Sequence, residues 1–328
     1  MMSGESAIRT FDLVKRFNAT IAVDHLNLSV PAGQIYGLIG PDGAGKTTLI
    51  RLLAAVMRPS SGRAEVLGLD TVKDAERLRH RIGYMSQHFS LYPDLSVQEN
   101  LAFVAEVYGI RGRRQRQEVD RLMEFVRLAE FRSRRAGHLS GGMQKKLALA
   151  CTLIHEPEVI FLDEPTTGVD PVSRREFWDL LSELHIQGVT LLVSTPYMDE
   201  AERCTLIGLM YEGRLIEEGS PDAIRQLVPG EMLSAWLSDL PRARALIERM
   251  PGVVETQTYG DVLRIFVDDA DARAPQIRAA LEEHGVVIHD LRHTQPHIEE
   301  AFVSLIRRRM QSQGAEDTLP RSREGNVA

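Results

Sequence analysis

The sequence contains few of the features that mark exported or membrane-embedded chains. Its 328 residues include no run that approaches the ~20 consecutive apolar residues of a membrane-spanning helix. The first residues, Met1 to Ser6, have no charged segment followed by an apolar core, so no export signal is expected. We therefore expect a soluble protein whose contact with any membrane is made through a protein partner.

The sequence also has few cysteines and no excess of positive charge. The only two cysteines, Cys151 and Cys204, lie far apart in the sequence and neither has the spacing of a metal ligand. We expect them to be small apolar side chains of a protein from a reducing compartment. The formal net charge of -7 argues against a nucleic-acid-binding protein, so no nucleic-acid partner is predicted.

What the sequence does contain is a complete phosphate-binding pattern. Residues 40–48 fit G-x-x-x-x-G-K-[ST] at every fixed position. An apolar run at 35–39 predicts a buried strand before it, and apolar residues at helical spacing predict a helix after it. This context favours a nucleotide site over a simple glycine turn. The predicted site comprises Gly40, Pro41, Asp42, Gly43, Ala44, Gly45, Lys46, Thr47 and Thr48.

The chemistry of this loop follows from its residue types. Glycines let the backbone bend so that successive N–H groups and the helix N-terminus face one anion. Lys46 is predicted to reach the β- and γ-phosphates, and the Thr47 hydroxyl to ligate Mg²⁺. The loop therefore predicts a nucleotide with β- and γ-phosphates, bound together with Mg²⁺.

A second buried strand, residues 159–164, ends in two carboxylates. Asp163 beside a phosphate loop is expected to hold the magnesium ion, and Glu164 to polarise the water that attacks the γ-phosphate. A purely structural role is disfavoured, because buried carboxylates without a cation are costly. A tight turn at 167–170 and a third buried strand at 189–195 follow.

Three further features are ambiguous when taken alone. Ser140 and the two glycines after it predict either an anion-binding helix N-terminus or an ordinary capped helix start. Phe17 ends one of two alternating strands, 11–17 and 22–30; its ring could stack on adenine, but the pattern favours a packing residue. Arginines crowd 111–116 and 132–135, where solvated faces of helices are favoured over a nucleic-acid patch.

The order of these motifs resembles that of the ATP-binding cassette (ABC) ATPases. The phosphate loop, Gln87, the Leu139 to Met143 signature, the acidic strand and the 167–170 turn match that family in order and spacing over about residues 7–220. Other phosphate-loop ATPases share the loop and the acidic strand but not Leu-Ser-Gly-Gly-Met. The resemblance is closest to cassettes of ABC-2-type exporters, particularly the N-terminal cassettes of double-cassette multidrug-efflux proteins.

The resemblance implies a set of site residues. Glu164, Gln87 and Lys46 would be catalytic, and Thr47, Gln87 and Asp163 would hold Mg²⁺. Gln87 would also sense the γ-phosphate and the transmembrane partner. The remaining nucleotide contacts would come from Phe17 on adenine, from Asp170, and from a signature that binds the ATP of the opposite subunit through Ser140, Gly141 and Gly142.

The resemblance also implies a fold and partners. The expected fold is an α/β cassette over 7–228, with a mainly parallel core sheet, an antiparallel β flank and an inserted helical subdomain near 88–157. The expected partners are transmembrane ABC-2-type permease subunits and a second cassette, in a homodimer or a heterodimer. The protein would then be cytoplasmic and peripheral on the inner face of the cell membrane.

One position departs from the family pattern. After the third strand the family carries a histidine that contacts the γ-phosphate and the catalytic carboxylate, whereas this sequence has Pro196. Proline fits the local structure, because Thr195 can cap the following helix and Pro196 can occupy its first position. The fold is expected to be unaffected and the hydrolysis rate to be reduced.

The sequence continues beyond the cassette. Residues 227–230 form a predicted linker, and 231–308 alternate in the order β-α-β-β-α-β with one added helix, a ferredoxin-like arrangement that resembles the accessory domain of many ABC-2-type ATPases. His293 and His297 are spaced like metal ligands, but surface polar residues are favoured. Residues 311–328 are predicted to be a disordered tail.

The predicted function is that of an ATPase subunit coupled to transport. Two ATP molecules would hold two cassettes together and hydrolysis would release them, which would move the membrane partner. A rival is a soluble non-transport ABC ATPase, ribosome-associated or regulatory; such proteins commonly carry two cassettes, and this sequence shows one. A third possibility is a cassette impaired in hydrolysis that holds ATP beside an active one.

Overall fold

The computed structural model describes residues 6–88 and 91–317. The contacts between residues divide the chain into two compact units, Met1–Pro221 and Asp222–Ala328. Among the described residues, no helix combines the length and the apolar character that crossing a membrane would require.

The first unit is a mixed α/β structure. Its first half contains β1 (Ser6–Phe17), β2 (Thr20–Pro31), β3 (Ile35–Ile39), α1 (Lys46–Leu53), β4 (Ser61–Val66), β5 (Leu69–Asp70), α2 (Ala75–Arg79) and β6 (Ile82–Met85). Its second half contains α3 (Val97–Val107), α4 (Gly112–Phe125), α5 (Gly141–Leu153), β7 (Val159–Asp163), α6 (Pro171–Ile186), β8 (Thr190–Thr195), α7 (Met198–Ala201), β9 (Leu206–Tyr211) and β10 (Arg214–Gly219). The predicted helical insertion corresponds to α3, α4 and α5.

A six-stranded sheet forms the centre of this unit, in the order β10-β9-β3-β8-β7-β6. All neighbouring strands are parallel except β9 and β10. Every residue of β3, β7 and β8 is buried, as expected for parallel strands covered on both faces. The carboxyl ends of these strands share one edge, which is where parallel sheets bind ligands.

The predicted antiparallel flank is present as a four-stranded sheet in the order β2-β1-β4-β5. Leu13 of this sheet belongs to one buried cluster with Leu49 of α1 and Phe161 of β7. The first two strands are longer than the alternating segments that predicted them, because register shifts along their pairing interrupt the simple alternation. The flank is therefore packed on the core that carries the phosphate loop.

The prediction for the helix after β8 was wrong. α7 begins at Met198 with Tyr197 as its N-cap, so Pro196 lies before the helix and Thr195 is not its cap. The Thr195 hydroxyl instead accepts a hydrogen bond from the Tyr197 N–H at 3.0 Å. Thr195 thus closes a turn that precedes the helix.

The boundary between the units falls within α8 (Pro221–Arg225), and the second unit begins at Asp222. It contains β11 (Glu231–Leu237), α9 (Leu240–Ile247), β12 (Val253–Tyr259), β13 (Val262–Val267), α10 (Ala270–Glu283), β14 (Ile288–Thr294) and α11 (Ile298–Asp317). The sheet order is β12-β13-β11-β14 with every pair antiparallel. The element order matches the predicted one, and the assignment to the ferredoxin-like class stays a prediction.

The last helix runs further than expected. Residues 311–317 belong to α11, whereas the sequence predicted a disordered tail from 311 onward, because the polar composition hides a continuous helix. The rest of that predicted tail lies outside the described residues. α11 is attached to the sheet partly through polar groups: Glu300 lies 3.5 Å from the Arg264 guanidinium, and both side chains are largely buried.

Candidate nucleotide-binding site

The loop between β3 and α1 adopts the conformation that its glycines permit. Gly43 and Gly45 have positive φ angles of 80° and 103°, and Gly45 is the N-cap of α1. A Cβ on Gly45 would lie 2.1 Å from the Ala22 carbonyl oxygen, so this position excludes any side chain for two independent reasons. The loop thereby delivers its N–H groups and the start of α1 to one place.

Lys46 is buried at the start of α1. Its ammonium group donates hydrogen bonds to the carbonyl oxygens of Gly40 at 2.7 Å and Pro41 at 3.0 Å, and lies 3.9 Å from the Glu164 carboxylate. Burial lowers the pKa of Lys46, and the charges of Glu164, Asp42 and Asp163 oppose that shift. The cation is therefore held at the mouth of the loop beside the acidic strand.

A cavity of about 170 Å³ opens at this loop. Among the described residues its lining is formed by Glu164, by Ala22 of β2, and by the continuous run from Asp42 to Thr48. Seven of the nine predicted loop residues, 42–48, thus face one space, while the carbonyls of Gly40 and Pro41 hold the lysine.

Asp163 ends β7 and is fully buried. Its Oδ1 accepts hydrogen bonds from the Thr47 hydroxyl and the Ser194 hydroxyl, both at 2.9 Å. Its Oδ2 is buried without a hydrogen-bond partner among the described residues. A buried carboxylate oxygen left unpaired is unfavourable unless a cation approaches it. Because carboxylate and hydroxyl oxygens suit Mg²⁺, the residues present fit a magnesium ion held by Thr47 and Asp163.

Glu164 follows β7 in a left-handed conformation, φ 46°, which is uncommon for a residue other than glycine. Its N–H donates to the Ser194 hydroxyl at 3.0 Å. Its Oε2 accepts hydrogen bonds from the Gln87 amide at 2.7 Å and the Thr167 hydroxyl at 3.3 Å. This carboxylate is held in one orientation beside the phosphate loop, as a proton acceptor for hydrolysis requires.

The structure brings Gln87 to Glu164 and not to Asp163. Its amide N–H group donates to the Glu164 carboxylate, so Gln87 is placed to orient that side chain. The expected role of Gln87 as a Mg²⁺ ligand stays a prediction.

Two further residues contact this cluster, and neither was predicted from the sequence. Ser194 bonds both carboxylate residues from the neighbouring strand, where it is the register partner of Asp163. Lys145 of α5 donates a hydrogen bond to the Gln87 carbonyl oxygen at 2.6 Å. No local pattern marks either residue; the order of strands in the sheet would have indicated Ser194.

The signature residues lie apart from the phosphate cavity. Ser140 is the N-cap of α5 and accepts a hydrogen bond from the Met143 N–H at 3.3 Å. A Cβ on Gly142 would lie 2.5 Å from Ser173 Cβ, so α5 packs closely on the start of α6, which Asp170 caps. Of the described residues that line the phosphate cavity, none belongs to the signature or to the 167–170 turn.

Phe17 and Pro196 stand at the margins of the site. Phe17 ends β1 with 44% of its surface exposed, and the Lys15 ammonium lies 5.2 Å from its ring centre. This exposure is not that of a core packing residue. Pro196 follows β8 and offers no hydrogen-bond donor, while the adjacent Tyr197 ring lies 5.2 Å from the Arg174 guanidinium.

Comparisons with known proteins identify the family of this chain. Residues 23–167 match the profile of the family described as ABC transporter. The probable multidrug ABC transporter ATP-binding protein YbhF of Escherichia coli (strain K12) is 46% identical over 222 residues, covering 68% of this chain and 38% of that protein. The daunorubicin resistance ATP-binding protein DrrA3 of Streptomyces coeruleorubidus is 36% identical over 303 residues, covering 92% and 96%. The chain thus spans less than half the length of YbhF and nearly all of DrrA3.

Solved structures show the same architecture. The protein cbiO1 of Clostridium perfringens, described as part of the ABC transporter complex cbiONQ, has a TM-score of 0.62 and 27% identity, covering 75% of this chain and all of that one. A dimeric ATP-binding cassette in a post-hydrolysis state with bound ADP and phosphate has a TM-score of 0.60 and 25% identity, covering 65% of this chain and 98% of that one.

Proposed function

This chain belongs to the family of ABC transporter ATP-binding proteins, and we propose that it is the ATP-hydrolysing subunit that powers an ABC-2-type membrane exporter. The observation that carries the proposal is the bonded cluster at the phosphate loop, in which Thr47 contacts Asp163 and Gln87 contacts Glu164. Relatives named for multidrug transport and daunorubicin resistance favour export, with drug-like compounds as the candidate substrates.

ATP binding uses the loop first. Its backbone N–H groups and the N-terminus of α1 cradle the phosphates, and Lys46 exchanges its two carbonyl partners for phosphate oxygens. Mg²⁺, when bound by Thr47 and Asp163, neutralises charge on the phosphates. The buried position of Lys46 strengthens its attraction to the phosphates, since water screens that interaction poorly.

Hydrolysis then depends on Glu164. A water molecule attacks the γ-phosphorus, the bond to the β,γ-bridging oxygen breaks, and the proton of the water passes to the Glu164 carboxylate. Gln87 and Thr167 fix that carboxylate, and Ser194 fixes its backbone. The products are ADP and inorganic phosphate.

A second cassette completes the site in this proposal. Ser140, Gly141 and Gly142 present a helix N-terminus away from the phosphate cavity of their own chain, so their anion would be the ATP held by the neighbour. Asp170 stands at the start of the adjacent helix, and the exposed Phe17 ring is available for adenine. The pair would work with transmembrane permease subunits, peripheral on the cytoplasmic face of the membrane.

Pro196 favours a particular version of this pairing. Two copies of this chain would form two sites without the family's histidine, and both would hydrolyse slowly. A partner cassette with an intact histidine would make the sites unequal, so that the site built on Lys46 and Pro196 holds ATP while the other turns over. We favour the heterodimer, an inference made partly by analogy within the family.

Dimerisation and coupling can be tested separately. If two copies of this chain pair, the Glu164→Gln variant should form an ATP- and Mg²⁺-dependent dimer in size-exclusion chromatography, because ATP binds but is not consumed. Glu183→Gln, which changes an exposed carboxylate of α6, is the matched control and should not accumulate a dimer beyond the wild type. A heterodimer would instead require addition of the second cassette before the dimer appears.

Coupling to a membrane partner is tested by affinity purification from detergent extracts. A stable complex with a multi-span protein supports the exporter. Co-sedimentation with ribosomes, with no multi-span protein recovered, would favour the soluble non-transport alternative. ATPase activity that rises when the multi-span partner is added would link the two observations.

A further inference from the structure

Lys145 is a partly buried cation that has no assigned role in the proposed mechanism. It lies on α5, one turn after the signature glycines, and its ammonium group donates to the main-chain oxygen of Gln87 at 2.6 Å. It forms no ion pair with any carboxylate among the described residues. A partly buried ammonium group is costly unless it is hydrogen-bonded, and the carbonyl oxygen of Gln87 supplies that hydrogen bond.

The partner of Lys145 is the residue that orients the base. The Gln87 amide donates to Glu164 Oε2 at 2.7 Å, so two consecutive bonds connect α5 to the carboxylate: from Lys145 to the Gln87 backbone, and from the Gln87 side chain to Glu164. Burial lowers the pKa of Lys145, while the charges of Glu164 and Asp163 favour its cationic form. The ammonium group therefore lies within the field of both acidic residues.

We propose that Lys145 is a positioning residue for hydrolysis, which fixes the Gln87 backbone to α5 and thereby aims the Gln87 amide at Glu164. The inference rests on the proposed ATPase function. Gln87 lies two residues after the end of β6, where no ladder hydrogen bond of the sheet fixes its backbone among the described pairings. The bond from Lys145 supplies that restraint.

The same two hydrogen bonds link Glu164 to the helix that begins at the signature residues. α5 begins at the signature residues that receive the neighbour's ATP in the proposed dimer, and Lys145 is on the same helix. A displacement of α5 relative to the core sheet would carry the Gln87 backbone with it. The occupancy of one ATP site would then alter the alignment of the base in the other.

The neighbouring lysine provides a matched control. Lys146 is also buried on α5, but its ammonium group pairs with Glu176 of α6 at 2.5 Å and does not contact Gln87. Replacing either lysine by methionine removes one ammonium group from the same helix at nearly constant volume. A general loss of helix packing would appear in both variants, and a positioning effect only in one.

The experiment compares Lys145→Met, Lys145→Arg and Lys146→Met in the full chain. Single-turnover hydrolysis of radiolabelled ATP by excess protein measures even slow rates, and a fluorescent ATP analogue measures affinity. Lys145→Met should lower the hydrolysis rate about tenfold, which corresponds to ~1.4 kcal/mol, with ATP affinity unchanged. Lys145→Arg should keep most of the rate, because a guanidinium still donates to a carbonyl, and Lys146→Met should keep all of it.

A double variant tests the route. In a Gln87→Ala background, Lys145→Met should cause no further loss, since the amide that it positions is absent. The inference would be overturned if Lys145→Met lowered the hydrolysis rate equally with and without the Gln87 amide. It would also be overturned if Lys145→Met and Lys146→Met lowered the rate equally, or if Lys145→Met left the rate unchanged. If the wild type hydrolyses no faster than Glu164→Gln, the proposed ATPase function itself fails, which is a distinct result.

Discussion

Replacing Pro196 by histidine tests whether the missing donor limits the proposed ATPase activity. Pro196 lies between the end of β8 and the start of α7, where it is partly exposed and forms no part of the helix. The side chain at this position follows the strand that supplies Ser194, so it starts from the edge of the sheet where the two carboxylates lie.

The expected magnitude follows from the loss of one preorganised donor. Removing a group that stabilises charge in a transition state typically costs about 3–4 kcal/mol, or ~10² to 10³ in rate, so Pro196→His should accelerate hydrolysis by up to that factor. The fold should change little. Relieving a proline constraint at a compatible site costs only ~0.4–1 kcal/mol through the unfolded chain, because the turn is held by the Thr195 hydroxyl and not by the ring.

The assay is steady-state release of phosphate by the purified chain, with Glu164→Gln as the blank. Wild-type turnover should be slow and Pro196→His turnover faster, at unchanged ATP affinity. Brisk turnover by the wild type that the histidine does not improve would refute the reasoning, since another group would then supply the missing contact. Rescue of the wild type by an added second cassette would instead support unequal sites.

Other predictions concern the support of the site and the second unit. Ser194→Ala removes a buried hydroxyl that bonds Asp163, so the free energy of unfolding should fall by ~2–3 kcal/mol in urea titrations, and hydrolysis should slow with it. Glu300→Gln leaves the Arg264 charge largely buried and unpaired, so the unfolding free energy of the second unit should fall by about 3 kcal/mol, measured by fluorescence of the β11 tryptophan in a variant without the α6 tryptophan. The pKa of Asp24 is lowered from its usual 3.8 by hydrogen bonds from its histidine neighbour and an arginine of β10. Its contribution to stability is therefore present above pH 3.8 and lost as the pH falls through the lower folded value, and Asp24→Asn should remove that part of the pH dependence in acid titrations.

Contiguous motifs made much of this site predictable. The loop from Gly40 to Thr48 is flanked by clear strand and helix patterns. Its glycines indicate directly that the backbone adopts a conformation that other residues disfavour. The acidic strand is equally local, because a buried apolar run that ends in two carboxylates has few alternative explanations. Three neighbouring strands of the core sheet, β3, β8 and β7, followed from buried apolar runs.

Contacts between distant segments could not be predicted in the same way. Ser194 and Lys145 have no signal of their own, and each becomes part of the site only through the pairing of β7 with β8 or the packing of α5. Strand β10 was not predicted because its polar residues hide the alternation typical of a strand. The start of α7 was placed too early, since proline suits a turn as well as the first position of a helix.

The hydrogen bonds that hold Glu164 come from residues other than the one at position 196. The carboxylate and its backbone are held by Gln87 after β6, by Thr167 in its own loop and by Ser194 of β8. None of these bonds, which come from three segments, involves the residue at 196, so the Glu164 carboxylate keeps them beside a proline. We therefore expect a deficit caused by Pro196 to fall on the stabilisation of the phosphate that is transferred. Variants of Lys145 and of Pro196 should accordingly combine additively in the logarithm of the rate, since one aligns the base and the other would contact the phosphate.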